Sequence, residues 1–76
     1  MIYRVYVEFK SGILDPESEA IKKTINQLGF KNIENISKGK FFDIEISSDD
    51  SFSDIEKISK ELLSNPVIEN FKVVKK

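Results

Sequence analysis

The first ten residues alternate between apolar and polar side chains. From Ile2 to Lys10, apolar residues occupy every second position, and most of the positions between them are polar. A period of two with β-branched and aromatic residues predicts a strand with one buried face. Tyr6 lies on the polar side of this alternation, either as a surface side chain or as part of a second, covered face.

A helix is predicted directly after this strand. Asp15 suits the N-cap and Pro16 the first helical position, and the glutamates that follow favour the positive end of the helix dipole. Gly29 is placed where a left-handed residue commonly ends a helix. Between these ends runs an apolar stripe at helical spacing, formed by Ala20, Ile21, Ile25 and Leu28.

The middle of the chain permits two interpretations. Phe30 to Ile36 begins an extended region, Ser37 to Lys40 interrupts it, and strict alternation resumes from Phe42 to Ile46. The pattern fits a hairpin that turns near Gly39, or one long strand that a bulge bends there. Phe41 lies on the polar side of the alternation.

A second helix is predicted after a polar loop at residues 48–51. A capping box can begin this helix at Ser53, with Glu56 three residues later. Ser51 with Asp54 offers an alternative start. The apolar stripe of the helix is formed by Phe52, Ile55, Ile58 and Leu62.

The last strand is predicted from Val67 to Val74. Asn65 and Pro66 end the helix before it, because a residue that precedes proline avoids the helical conformation. Apolar residues on both sides of this strand indicate that both of its faces are covered.

The order of the predicted elements is strand, helix, one or two strands, helix, strand. This order predicts one α+β domain over residues 1–76, with a ferredoxin-like β-α-β(β)-α-β arrangement and an antiparallel sheet. Two helices on one face of the sheet leave the other face open, and an apolar open face favours docking of a second copy. The candidate dimer surface on that face consists of Tyr6, Phe41, Ile68 and Val74.

Composition narrows the chemistry that the chain can support. The sequence has no cysteine and no histidine, which excludes disulfides, thiolate chemistry and histidine-based proton transfer. The 12 basic and 13 acidic residues give a net charge of −1, so nucleic acid and anionic membranes are not expected partners. No apolar run reaches the roughly 20 residues of a membrane span. The start of the chain shows no signal peptide, which predicts a cytoplasmic location.

Three possible sites have simpler structural explanations. Asp49, Asp50 and Asp54 could hold a hard cation, but acidic residues at a helix start are explained by capping and the dipole. The lone glycine of residues 37–40 lacks the pattern of a phosphate-binding loop. Exposed aromatic residues on a sheet could stack RNA bases, but the lysines are spread among acidic residues. No catalytic, cofactor-binding or metal-binding residue is therefore assigned.

Three motifs occur in a fixed order along the chain. They are the turn GILDP at residues 12–16, the helix end LGF at residues 28–30 with the Gly39-Lys40 pair after it, and LSNPVIENF at residues 63–71. Over essentially its whole length the chain is therefore similar to the PurS family. The family-motif positions, structural or partner-contacting, are Gly12, Leu14, Asp15, Pro16, Gly29, Gly39, Lys40, Asn65 and Pro66.

The resemblance implies a function that the residues alone do not give. PurS is the small subunit of phosphoribosylformylglycinamidine synthase, an enzyme of de novo purine biosynthesis. That enzyme converts formylglycinamide ribonucleotide, ATP and glutamine into formylglycinamidine ribonucleotide, ADP, phosphate and glutamate. The implied role is a non-catalytic dimer or tetramer that bridges a glutaminase subunit and a large synthetase subunit and assists ammonia transfer. ATP, Mg²⁺ and glutamine then belong to the complex, and this chain itself has no cofactor.

Two further points accompany this resemblance. Family members often carry an arginine shortly before the Gly39-Lys40 pair, where this chain has Ser37 and Lys38. A partner contact made by that arginine would here fall to Lys38 or Lys40. The alternative function is a ferredoxin-like regulatory domain that binds a small molecule at a dimer interface.

Overall fold

The structure is a computed structural model that describes residues 1–47 and 52–76. The described elements are strand β1 (Ile2–Phe9), helix α1 (Pro16–Gln27), strand β2 (Gly39–Glu45), helix α2 (Phe52–Ile58), a π-helical turn (Ser59–Leu63) and strand β3 (Glu69–Lys75). The strands form an antiparallel sheet in the order β2-β1-β3. The predicted α+β class and antiparallel sheet are confirmed.

The hydrophobic core lies on one face of this sheet, called the inner face. Directly paired residues of an antiparallel ladder share a face, so Val5 of β1 lies on the inner face with Phe42 of β2 and Val73 of β3. Among the described residues, the buried apolar side chains are Tyr3, Val5, Val7 and Ile55. Half-buried side chains packed against them are Phe42, Ile44, Ile46, Leu63, Phe71 and Val73.

The side of the second helix that faces the core differs from the predicted apolar stripe. Ile55 and Ser59 are buried and Leu63 is half-buried, at a spacing of four residues. Ile58 and Leu62 are instead exposed, so their place in the predicted stripe is wrong. Phe52 is partly exposed but keeps its ring 5.6 Å from that of Tyr3.

Hydrogen bonds allow a serine to occupy this buried position. Ser59 Oγ donates to the Ile55 carbonyl at 2.7 Å. The Ser59 carbonyl accepts from Ser64 Oγ at 2.7 Å and from the Ser64 N–H at 3.0 Å, which closes the π-helical turn. Because its polar atoms are paired inside the protein, Ser59 is buried without a lost hydrogen bond.

The predicted start of α2 needs one correction. The helix begins at Phe52, so Ser53 lies inside its first turn and not at the N-cap. The predicted loop at residues 48–51, with Asp49 and Asp50 of the acidic cluster and the alternative start at Ser51, lies outside the described residues.

The region around Gly39 matches neither predicted alternative. Residues 30–38 form no strand, and the pairing of β2 with β1 begins at Gly39 opposite Glu8 and continues without a bulge. Gly39 is therefore not a turn residue. A Cβ at this position would lie 2.7 Å from the Val7 carbonyl oxygen, so the glycine permits a close approach of the two strands.

The other two glycines do adopt left-handed conformations. Gly29 has φ 102° and follows α1, as predicted. Gly12 has φ 86°, and the Ile13 N–H donates to the Lys10 carbonyl at 3.1 Å across a tight turn. The last strand begins two residues later than predicted, because the Asn65 carbonyl accepts from the N–H groups of Ile68 and Glu69.

The chain is elongated, and α1 accounts for this. The Cα radius of gyration is 16.0 Å, whereas a compact chain of this length has one of about 11 Å. The core cluster of the described residues contains no α1 side chain, and Ser18 is the buried residue of the helix. The predicted stripe of α1 is formed, but apart from the half-buried Ile25 it is exposed, and Leu28 is 71% exposed. Residues 13–38, here called the arm, thus extend away from the core.

Replacing Gly39 tests the close approach of β1 and β2. Gly39→Ala places a methyl group against the Val7 carbonyl and is expected to lower the free energy of unfolding by about 1–3 kcal/mol. Denaturant unfolding at a fixed protein concentration measures this change. Ser37→Ala, two residues earlier and exposed, is the control and is expected to unfold like the parent chain. Equal stability of Gly39→Ala and the parent would contradict the assignment.

Candidate functional site

The open face of the sheet, called the outer face, carries aromatic and charged side chains in contact. Tyr6 lies opposite Phe41 in the ladder, and their ring centroids are 6.2 Å apart. The Arg4 guanidinium carbon lies 4.1 Å from the Phe41 centroid and 6.0 Å from the Tyr6 centroid, within the range of cation–π attraction. Arg4, Tyr6, Phe41 and Asp43 are together called the outer cluster.

Asp43 fixes the position of the Arg4 guanidinium. Arg4 Nε donates to Asp43 Oδ1 at 2.8 Å, and Nη2 donates to Oδ2 at 3.0 Å. Lys76 Nζ adds a longer contact to Oδ2 at 3.4 Å. A two-bond pairing holds the guanidinium plane in one orientation, here over the Phe41 ring.

The pKa values reflect this pairing. The hydrogen bonds from Arg4, with a smaller contribution from Lys76, lower the pKa of Asp43 to about 2, against the opposing effect of partial desolvation. The same bonds raise the pKa of Arg4. Both groups therefore remain charged at neutral pH, and the cluster presents a neutralised ion pair beside two aromatic rings.

The structure brings together three of the four residues predicted as the candidate dimer surface. Tyr6 and Phe41 are neighbours and about half exposed, and Val74 of β3 lies opposite Arg4 on the same face. Ile68 lies in the turn before β3 and is half-buried, and its carbonyl accepts from the Lys10 N–H at 2.8 Å.

The predicted N-cap of α1 is confirmed and belongs to a second group of contacts. Asp15 Oδ1 accepts from the Glu17 N–H at 3.1 Å, and Oδ2 accepts from Ser18 Oγ at 2.9 Å. Lys38 Nζ lies 3.4 Å from Asp15 Oδ2 and 3.3 Å from Glu17 Oε2. Because Lys38 precedes β2 and Asp15 precedes α1, these ion pairs, here called the clamp, tie the two ends of the arm together.

Opposing effects act on the charges of this clamp. Partial desolvation by itself raises the pKa of Asp15, but the hydrogen bonds from Ser18 and Glu17 and the charge of Lys38 together lower it below its ordinary value. The Glu17 carboxylate, and then Asp15, raise the pKa of Lys38. At neutral pH the ion pairs of Lys38 and the helix cap made by Asp15 therefore stabilise each other.

The clamp borders a cleft of about 330 Å³ between the end of β1, the turn at Gly12 and residues 35–38. The family-motif residues Gly12, Leu14 and Asp15 line this cleft. The Asp15 carboxylate and the Lys38 ammonium form an ion pair with each other. We therefore interpret these contacts as a structural feature that fixes the base of the arm.

The remaining motif residues serve turns and strand starts. Asn65 Oδ1 accepts from the Val67 N–H at 3.1 Å, and the Asn65 N–H donates to Glu69 Oε1 at 2.7 Å, which shapes the turn around Pro66. Lys40 follows Gly39 in β2 with its Nζ 5.8 Å from the Phe42 ring centroid. Neither group resembles a reaction centre.

The described residues offer no other arrangement with catalytic character. Among them, the clearly shifted pKa values belong to Arg4, Asp15, Lys38 and Asp43, and their ion pairs account for these shifts. Within residues 1–47 and 52–76, no three carboxylates are grouped as a metal ion requires. None of the helices found there has the length and apolar character needed to cross a membrane.

Reasoning from the sequence misses both ion-pair systems. Arg4 and Asp43 each occupy the polar side of an alternating strand, so the sequence can predict that they lie on the same face of the sheet. Their contact, however, depends on the register of β1 and β2. Lys38 is predicted only as a substitute for a family arginine, whereas its pairing with Asp15 arises when the arm returns to its own base.

The acid stability of the chain tests the Arg4–Asp43 pair. A carboxylate whose pKa falls from 3.8 to about 2 on folding stabilises the fold above its unfolded pKa, and this contribution is lost as the pH falls towards the folded value. As the pH falls between these two pKa values, the free energy of unfolding of the parent chain is expected to drop, and that of Asp43→Asn is expected to change less. Glu45→Gln, on the same strand, is the control and is expected to keep the parental pH dependence. An unchanged acid profile in Asp43→Asn would contradict the pairing.

A second substitution tests the base of the arm. Asp15→Ala removes the cap and the Lys38 contact, and is expected to lower Tm by several degrees and to speed amide exchange at Glu17, whose N–H donates to Asp15 Oδ1. Hydrogen exchange followed by NMR gives the local readout. Glu19→Ala removes a first-turn carboxylate without removing the cap, and its amide exchange is expected to match the parent. Parental exchange rates in Asp15→Ala would contradict the clamp.

Comparison with known proteins gives a consistent result over the whole chain. A family model described as PurS, phosphoribosylformylglycinamidine (FGAM) synthase, matches residues 2–76. The phosphoribosylformylglycinamidine synthase subunit PurS of Archaeoglobus fulgidus is 40% identical over 77 aligned positions, which cover 97% of this chain and 96% of the relative.

Solved structures agree with these sequence relationships. The crystal structure of Methanocaldococcus jannaschii PurS, described as one of the subunits of formylglycinamide ribonucleotide amidotransferase in the purine biosynthetic pathway, superposes with a TM-score of 0.82 at 31% identity. The match covers 96% of this chain and 92% of that one. A chain from the structure of PurLQS from Thermotoga maritima gives a TM-score of 0.70 at 22% identity, covering 97% and 96%, and so shares the fold.

Proposed function

This chain belongs to the PurS family, and from that premise we propose that it is the small, non-catalytic subunit of a phosphoribosylformylglycinamidine synthase. The complex carries out the ATP- and glutamine-dependent conversion of formylglycinamide ribonucleotide to formylglycinamidine ribonucleotide in purine biosynthesis. The observation that carries the proposal is the family match from residue 2 to residue 76.

The residues of the chain support a non-catalytic role. Glutamine hydrolysis needs an activated nucleophile, and phosphoryl transfer needs groups that bind a nucleotide and its metal ion. The sequence contains no cysteine or histidine, and the described carboxylates with lowered pKa values are engaged by Arg4 and Lys38. Glutamine hydrolysis, ATP and Mg²⁺ are therefore assigned to two larger subunits, a glutaminase and a synthetase.

The contribution of the chain is then to hold these subunits together. A bridging subunit keeps the glutaminase close to the synthetase, so that ammonia released by one reaches the other. The Thermotoga maritima relative of this fold comes from a structure of PurLQS, which supports an assembly with further subunits. The Archaeoglobus fulgidus relative is likewise described as a subunit of the synthase.

The outer face is the surface proposed for contact with a second copy of the chain. Exposed aromatic side chains beside an arginine are the groups most often found at the energetic centre of protein interfaces. In this chain Tyr6, Phe41 and Val74 supply apolar area, and Asp43 already neutralises the arginine. Covering the outer cluster would therefore bury a paired charge and not a free one.

Reconstitution of the synthase tests the proposed role. The cognate glutaminase and synthetase subunits are combined with and without the chain, and formation of formylglycinamidine ribonucleotide is measured with glutamine or with ammonium as nitrogen source. Glutamine-dependent synthesis is expected to require the chain, because ammonia must pass between two separate catalysts. Ammonium-dependent synthesis by the synthetase subunit is the control and is expected to proceed without the chain. Full glutamine-dependent turnover in its absence would contradict the proposal.

A further inference from the structure

The turn before β3 presents one apolar side chain to solvent. Val67 is 78% exposed, more than any other large apolar side chain of the described residues. Its apolar neighbours Leu63 and Phe71 are instead half-buried against the core. A single exposed apolar residue is ordinary on a protein surface, so the meaning of Val67 depends on how the turn holds it and on what lies beside it.

Hydrogen bonds fix the backbone on both sides of Val67. The Asn65 carbonyl accepts from the Ile68 N–H at 3.1 Å and from the Glu69 N–H at 2.7 Å. The Asn65 side chain accepts from the Val67 N–H at 3.1 Å. The Ile68 carbonyl accepts from the Lys10 N–H at 2.8 Å, which ties the turn to the end of β1. A side chain on a backbone that is held in this way loses less conformational entropy when it binds a partner.

A hollow of about 330 Å³ beside the start of β3 carries an excess of positive charge. Two of its lining residues are lysines, and within residues 1–47 and 52–76 neither of them forms an ion pair. The one carboxylate of the lining belongs to Glu69, whose Oε1 already accepts from the Asn65 N–H at 2.7 Å. The hollow is therefore suited to an anionic group. The residues that line it are Lys10, Lys60, Pro66, Glu69, Asn70 and Phe71.

We propose that Val67 and this hollow, together called the docking turn, bind a larger subunit of the synthase. The matching surface of that subunit has an apolar pocket with a carboxylate at its border. Val67 fills the pocket, and the carboxylate enters the hollow, where it meets Lys10 and Lys60. Opposite charges at the border of an apolar contact fix its orientation and speed association. The inference rests on the proposed function and names the surface through which the chain contacts a catalyst.

A second copy of the chain is a poorer match for the docking turn. Two-fold contacts bring the same patch of both chains together, and here each patch has two lysines for one carboxylate. Like charges would then meet across the contact, which disfavours it. The outer face proposed for self-association is different, because Arg4 and Asp43 already balance each other there.

Truncation of Val67 tests the apolar part of the contact in the reconstituted synthase. The chain is titrated into fixed amounts of the glutaminase and synthetase subunits, and the chain concentration that gives half-maximal glutamine-dependent synthesis is measured. Val67→Ala is expected to raise this concentration about fivefold or more and to leave the rate at saturation unchanged. Because the side chain is 78% exposed, the denaturant unfolding of Val67→Ala is expected to match that of the parent chain.

A charge reversal with a matched control tests the hollow in the same titration. Lys60→Glu replaces a lining ammonium with a carboxylate and is expected to raise the half-maximal concentration about tenfold or more. Lys57→Glu makes the same charge change three residues earlier, at an exposed position outside the lining of the hollow. At about 0.15 M salt, where distant charges are screened, Lys57→Glu is expected to stay close to the parental value. Circular dichroism of both variants confirms that the helix is retained.

Three outcomes would overturn the docking turn. They are a parental half-maximal concentration in Val67→Ala or in Lys60→Glu, an equal effect of Lys57→Glu and Lys60→Glu, and weaker self-association of either docking-turn variant in sedimentation equilibrium of the chain alone. The last result would show that a second copy occupies the turn. Failure of the proposed function is distinguishable from these, because glutamine-dependent synthesis would then reach its full rate without the chain.

Discussion

The limited burial of apolar surface is the constraint on which this structure depends. In the described part of the chain, Tyr3, Val5, Val7 and Ile55 are the apolar side chains that are removed from water. All of them lie on the central strand or on the one helix turned towards it. A core of this size stabilises a 76-residue chain only marginally, because the ordering of each residue opposes it. The remaining apolar surface is therefore available to stabilise an assembly.

The polar contacts of the chain fit this view. Arg4 with Asp43, and Lys38 with Asp15, neutralise one another and hold strands and arm in position. Charges that are paired in this way set the geometry of a surface, and the paired groups are not themselves free for acid–base chemistry. The structure thus combines fixed surfaces with a small core, as expected of a subunit whose stability and function depend on what it binds.

Local signals in the sequence are sufficient for the elements that depend on neighbouring residues. Asp15 and Gly29 mark the ends of α1 as predicted, because a cap and a left-handed residue act within one helical turn. Alternation correctly locates β1 and the greater part of β2. Taken together, the motifs at residues 12–16, at residues 28–30 with the Gly39-Lys40 pair, and at residues 63–71 indicate the PurS family, and the family match over residues 2–76 confirms it.

Features that depend on distant contacts cannot be inferred in the same way. The sequence around Gly39 suggests a turn or a bulge, because nothing local shows that the Val7 carbonyl passes beside this glycine. The apolar pattern does not place Ser59 in the core, because its burial depends on hydrogen bonds to Ile55 and from Ser64. The stripe of α1 indicates that something covers the helix, but an apolar pattern does not say whether the cover belongs to the same chain.

The role proposed for this chain is to connect two catalysts without being one. A structure of the complete synthase, with the glutaminase and synthetase subunits and bound ATP and glutamine, tests this claim most directly. The account predicts that the chain contacts both larger subunits and that none of its atoms lies within bonding distance of ATP or of the glutamine amide. A side chain of this protein in contact with either reacting group would contradict the account.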